Sequence, residues 1–103
     1  MKLTDLKTHE QVLDESLQDP KFRREWDRTS LARAVATRVV QYRAAHGLSQ
    51  SGLARQLGTQ QPAIARVEAG DHNPSLETLW RLSQGLKIQF HIDITPEALD
   101  VTA

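Results

Sequence analysis

The run from Gly47 to Gly70, GLSQSGLARQLGTQQPAIARVEAG, constrains this chain more than any other stretch. Gly47, Gly58 and Gly70 punctuate it, Ser49 is a natural N-cap, and Leu53, Ala54, Leu57, Ile64 and Val67 recur at helical spacing. The pattern predicts two short helices, about 50–57 and 61–69, joined by a tight turn around Gly58. Ala54, four residues before that glycine, suits a close helix crossing. The second helix opens on Gln60 and Gln61. A glutamine amide offers a donor beside an acceptor, which matches the N6/N7 edge of adenine in the major groove. The stretch therefore points toward DNA reading.

The flanking sequence extends the helical pattern. Thr8 can cap a helix over 9–18, and Asp19-Pro20 marks another helix start. From there to Gly47 there is no breaker. Leu31, Val35, Val39 and Tyr42 form a buried stripe, and residues 20–46 read either as one helix or as two divided at Thr29-Ser30, where a fresh N-cap is available. Ser75 caps a further helix over about 76–84, with Leu76, Leu79, Leu82 and Leu86 as its apolar face and Gly85 ending it. Lys87 to Ile94 then alternates polar and apolar, which predicts a strand over 88–94 stopped by Pro96. A lone strand needs a partner, and no second one is evident. The simplest partner is the same strand of another copy, paired through Ile88, Phe90 and Ile92; the alternative is a cap on the chain's own core, with Phe90 and Ile92 inward.

At 103 residues and 39% hydrophobic, one domain with an extra arm is expected. No run suits a membrane span, MKLTDLKTHEQ lacks the apolar core of a secretory signal, and there is no cysteine, all of which fits a cytoplasmic protein. The net charge is zero, yet it is unevenly spread. Between residues 30 and 86, Arg33, Arg38, Arg43, Arg55, Arg66 and Arg81 face only Glu68, Asp71 and Glu77, a local excess of +3. So modest an excess predicts weak phosphate attraction per subunit and tight binding only as a dimer. His9, His46, His72 and His91 are scattered without ligand spacing, and no nucleophile has a base and orienter, so neither enzyme activity, metal nor cofactor is expected.

Arg43, GLSQ at 47–50, LA at 53–54, LG at 57–58, QxxIxRxExG at 61–70 and NPSLETL at 73–79 together resemble the XRE/Cro helix-turn-helix family. The resemblance implies a mainly α, lambda-repressor-like bundle over residues 30–86. It implies that Gln50 contacts phosphate, aided by the amides behind Ser49, and that Gln61 is the first base-reading position. Thr59 and Gln60 at the turn, Ala63 and Arg66 complete the implied DNA-binding set. Pro62 departs from the pattern, since a polar contact residue is usual there, and leaves base preference open. Arg43 and Glu68 resemble a family pair tying two helices together, expected as a partly exposed pair contributing about 0–1 kcal/mol.

Outside that domain stand an N-terminal helical arm, residues 1–29, the strand at 87–96 and a tail at 97–103. The arm carries Leu13, Leu17, Phe22 and Trp26, either as folded-back core or as an apolar stripe for a partner. DPKFRREW before the domain and FHIDITP after it are similar to small HigA-type antitoxins. That resemblance implies a RelE/HigB-like ribonuclease toxin as partner and repression of the chain's own operon. The homodimer expected from the strand would set two recognition helices about one DNA turn apart, which predicts a palindromic operator. The rival readings are a stand-alone repressor and an interaction module that has lost DNA binding.

Overall fold

The computed structural model describes residues 8–97 and 99–102, without the side chains of 100–102. Residues 1–7 of the arm, including most of the stretch read above as lacking a secretory signal, lie outside the described residues. Six helices and two strands follow in order among the described residues: α1 (His9–Ser16), α2 (Pro20–Arg28), α3 (Ser30–His46), α4 (Gln50–Leu57), α5 (Gln61–Ala69), α6 (Leu76–Leu86), β1 (His91–Ile94) and β2 (Leu99–Thr102). No helix among them is long and apolar enough to cross a membrane.

The helix starts follow from side-chain caps. Thr8 and Gln11 form a reciprocal capping box on α1, at 3.1 and 2.9 Å. Asp19 accepts from the Lys21 amide ahead of α2, Ser49 from Gly52 ahead of α4, and Ser75 from Thr78 ahead of α6. Each satisfies one of the amides that a helix start leaves unpaired.

The long segment 20–46 divides at Thr29, as one of the two sequence readings has it, but Thr29 holds the N-cap position without a side-chain cap bond. Its hydroxyl turns back to donate to the Glu25 carbonyl at 2.9 Å. The cap arrives from far along the chain. Asn73 Oδ1 accepts from the Ala32 amide at 3.1 Å, while Asn73 Nδ2 donates to the Arg28 carbonyl at 2.8 Å. One amide thus closes the end of α2 and the start of α3. Arg33 reinforces the joint, donating to the Trp26 carbonyl and the Thr29 hydroxyl, both at 2.7 Å, with its guanidinium 3.4 Å from the centre of the Trp26 ring.

The core gathers Leu31, Val35 and Val39 of α3 with Leu53, Ala54, Ile64, Leu79, Leu82 and Leu86, all buried. Truncating a fully buried Leu53 to Ala would cost about 2–5 kcal/mol. Tyr42, Leu57 and Val67 pack on this cluster only partly buried. Gly58 ends α4 at φ 69°, and a Cβ there would meet nothing within 4 Å. Its backbone angle, not crowding, is what calls for glycine.

The C-terminal third corrects several expectations. Gly85 does not end α6; it lies inside the helix, where a Cβ would fall 1.8 Å from Leu57 Cδ2. Glycine there permits α4 and α6 to approach. The end comes at Lys87, which takes the left-handed conformation at φ 57°. The strand begins at His91, not at 88, because residues 88–90 form a link without regular structure whose Ile88 and Phe90 pack against the core. Its partner lies in the same chain. β1 pairs antiparallel with β2, Ile94 opposite Leu99 and His91 opposite Thr102. The expected pairing between copies through Ile88, Phe90 and Ile92 is therefore replaced by an internal hairpin. Those three side chains cover the chain's own core. The segment assigned to the tail thus contributes a strand. The hairpin is tied to α3, where Arg38 donates to the Gln89 carbonyl at 2.8 Å and Ser30 donates to the Leu99 carbonyl.

Leu76 is also misplaced by pattern alone. It stands at the start of α6 and is 81% exposed, so Leu79, Leu82 and Leu86 supply the buried face without it.

Candidate nucleic-acid interface

The helix pair α4–α5 presents the residues implicated above. Ser49 is an exposed cap, and the Thr59 amide donates to the Ala54 carbonyl at 2.8 Å, so the turn itself is closed by backbone bonds. Gln60 precedes α5 in an extended conformation and makes no side-chain cap bond; Pro62 occupies its first turn. Gln61, Ala63 and Arg66 are exposed along one side of α5, while Ile64 is buried and Val67 half-buried. Arg66 forms no ion pair among the described residues, which leaves its guanidinium available.

A chain of hydrogen bonds runs from the interior to this surface. Arg43 grips Glu68 with two bonds, Nε to Oε2 at 2.6 Å and Nη2 to Oε1 at 2.7 Å. Its remaining nitrogen donates to the Leu48 carbonyl at 3.1 Å. Glu68 Oε1 also accepts from Gln50 Nε2 at 3.2 Å. Gln50 Oε1 then accepts from Gln61 Nε2 at 2.7 Å. The orientation of each amide is set by its inner neighbour, because an amide that donates inward must accept on its other arm. Gln61 keeps one N–H and its Oε1 unengaged, the donor and acceptor that an adenine edge requires. Sequence reasoning named Gln50 and Gln61 singly and missed the bond between them.

Glu68 is 7% exposed and Arg43 21%. The pair is therefore more enclosed than expected from sequence, and the range for exposed pairs does not describe it. Removing the arginine would leave the carboxylate uncompensated, a cost of about 2–3 kcal/mol at Glu68. The hydrogen bonds from Arg43, with a smaller contribution from Gln50, hold the Glu68 carboxyl below its ordinary range despite its burial.

The arm is arranged differently. α1 buries no residue; Leu13 and Leu17 are half-buried, and Val12 is exposed. Phe22 is exposed and stacks on Trp26, with ring centres 6.2 Å apart. Trp26 is not a free anchor, since Arg33 covers its ring and holds its carbonyl. The structure brings Phe22 and Trp26 together and leaves α1 without extensive packing on any other element. The radius of gyration, 16.1 Å, exceeds the roughly 13 Å of a compact chain this long. No cluster of potential metal ligands occurs among the described residues.

A helix-turn-helix family model, HTH_3, matches residues 39–91, just over half of the chain. This chain belongs to the HTH_3 helix-turn-helix family. The match spans the α4–α5 pair and both ends of the Arg43–Glu68 bond. The HTH-type transcriptional regulator SutR of Escherichia coli K12 is 33% identical over 67 residues, 65% of this chain but only 38% of SutR. The chain thus spans well under two thirds of that relative. An HTH-type transcriptional regulator of Methanocaldococcus jannaschii is 38% identical over 50 residues, 47% of this chain and 76% of the relative. Among solved structures, the restriction-modification controller protein C.AhdI of Aeromonas hydrophila superimposes with a TM-score of 0.51 at 31% identity, covering 59% of this chain and 88% of that one. The family match begins at residue 39, so α1, α2 and the first half of α3 fall outside it.

The depressed Glu68 carboxyl fixes the sign of an acid effect in this helix-turn-helix domain. A group whose folded pKa is lowered contributes stability above its unfolded value and loses it as pH falls through the folded one. The wild type's resistance to urea should fall on acidification below the ordinary carboxylate range, and Glu68→Gln should flatten that slope. Glu25 and Asp71, also lowered, would leave a residual slope in the variant. Equal slopes in the two proteins would mean that Glu68 is not held as described.

Proposed function

We propose that the chain is a DNA-binding transcriptional regulator that reads duplex DNA through α5, represses its own operon, and acts as the antitoxin partner of a RelE/HigB-like ribonuclease toxin held by the N-terminal arm. The observation that carries the DNA reading is the bond that Gln61 donates to Gln50. It preorganises an amide at the front of an exposed helix, at the position where repressors of this family meet a base. Gln50 and the amides behind Ser49 suit a phosphate. Arg66, one turn further along, suits a guanine or a second phosphate. The regulator relatives named above support the same reading, though each is matched over a limited length.

The arm supports the second half of the proposal. A helix that buries nothing of its own, followed by an exposed Phe22 on a clamped Trp26, is surface available to another protein. The sites on the arm would be Leu13, Leu17, Phe22 and Trp26.

A homodimer completes the reading, with a two-fold operator about one DNA turn between half-sites. β1 is already paired within the chain. The more suitable self-association face is the stripe on α6 formed by Leu76 and Trp80, four residues apart and 81% and 62% exposed. An exposed tryptophan beside an exposed leucine is unusual on a surface that meets only water.

Three measurements test these points. In gel shifts on DNA from the chain's own upstream region, Gln61→Ala should lose about tenfold or more in affinity, since one bidentate base contact is worth about 1–3 kcal/mol. Gln50→Ala should also weaken binding while Gln60→Ala changes it less; equal binding by wild type and Gln61→Ala would refute base reading at that residue. For the arm, Phe22→Ala should weaken capture of the toxin encoded by the neighbouring frame while leaving the gel shift intact. Toxin capture unchanged by Phe22→Ala and by Val12→Asp together would exclude the arm. For assembly, sedimentation should give a dimer at micromolar concentration for the wild type and a monomer for Trp80→Glu, with a wild-type monomer overturning the homodimer.

A further inference from the structure

A groove of about 280 Å³ lies between α5 and α6, beside the face assigned to DNA. Its floor is apolar: Ile64 and Leu82 are buried at its base, with Leu57, Val67 and Pro74 along the walls. Its rim is cationic. Arg66 and Arg81 both line it, and no carboxylate does. Arg81 is only loosely engaged, 3.4 Å from Glu77, while Arg66 has no ion-pair partner among the described residues. The volume falls just below the range of pockets that enclose drug-sized molecules, so the fitting occupant is smaller than those.

We propose that this groove binds a small apolar carboxylate, with its hydrocarbon body against Ile64, Val67 and Leu82 and its carboxylate on Arg66 and Arg81. The inference rests on reading α5 as the DNA-binding helix, because Arg66 serves both surfaces. A guanidinium paired with a ligand carboxylate is not available to a phosphate or a guanine. Occupancy therefore opposes DNA binding, and the groove makes the regulator responsive to the ligand. An apolar floor under a one-sign rim selects for this class: a neutral ligand forgoes the charge, and a small inorganic anion forgoes the floor.

The test uses the full chain and two probes of matched shape, benzoate and neutral benzamide. Titration followed by amide NMR, without DNA, should give saturable benzoate shifts at Ile64, Val67 and Thr78, with benzamide binding at least fivefold weaker. Arg66→Gln should lower benzoate affinity about fivefold while keeping a dispersed, folded spectrum. Thr78→Leu, which fills the groove, should abolish the shifts. Benzoate should then weaken the wild-type gel shift more than acetate at equal ionic strength. The absence of saturable shifts at those amides, or equal binding of benzamide, overturns the site. Benzoate binding without loss of DNA affinity overturns the competition. The gel shift without benzoate reports separately on DNA reading, so the failure of one proposal is distinguishable from the failure of the other.

Discussion

The candidate surface on α4 and α5 depends on one carboxylate. Glu68 sits near the end of α5, almost wholly enclosed, and takes both hydrogen bonds from Arg43 as well as one from Gln50. Three helices meet at it: α3 supplies Arg43, α4 supplies Gln50 and α5 supplies Glu68 itself. A carboxylate so enclosed is costly unless its partners hold their places, so the arrangement penalises any relative movement of the three helices. The same bonds determine which way the Gln50 amide faces, and through it the Gln61 amide. Packing of the apolar faces holds α4 and α5 together, and the polar chain sets their register to within a hydrogen bond's tolerance. A contact made through Gln61 would then need little further ordering of that side chain, a saving of about 0.5–1.5 kcal/mol of side-chain entropy.

A second polar device links this domain to what lies in front of it. Asn73 belongs to the segment after α5, yet its side chain joins the end of α2 to the start of α3. Gly70, which ends α5, packs close to Ala36 and Arg33 of α3. Arg33 in turn holds Trp26 of α2. The orientation of α2 and the exit of α5 are therefore set by overlapping contacts. An Asn73 amide placed between two helix ends contributes about 1–2 kcal/mol, comparable to a good local cap.

Much of this was legible in the chain, and the reasons for the exceptions are physical. Leu31, Val35 and Val39 repeat at helical spacing and are buried; Ser49, Ser75 and Asp19 are caps because capping is decided within three residues. Contacts decided by the angle between distant elements were not readable. The Gln50–Gln61 bond spans the helix crossing, and the Asn73–Ala32 bond spans 41 residues. Alternation at Ile88, Phe90 and Ile92 marked one apolar face, expected to pair with a second copy or else to cap the core, and the three side chains pack on the core. Alternation is silent about which edge pairs with what. Leu99-Asp100-Val101-Thr102 was the available signal for the partner, a short alternating run just beyond Pro96. Leu76 failed for a related reason: periodicity counts it with Leu79 and Leu86, but a residue in the first turn of α6 projects past the end of the core.

The internal hairpin changes how a weakly charged domain can achieve tight binding. A local excess of +3 gives each copy a small electrostatic term, steeply weakened by salt. Doubling the site is the physical remedy, because two linked half-sites act at a high effective concentration. β1 and β2 pair along one edge, and Ile92 and Leu99 pack against the chain's own core. Apolar side chains left exposed, which a second copy could cover, include Ile94 of β1 and, on α6, Leu76 and Trp80. That helix also forms one wall of the groove that Arg66 overlooks. A dimer built on α6 would place the spacing of the two α5 helices, and the groove beside each, under control of a single helix.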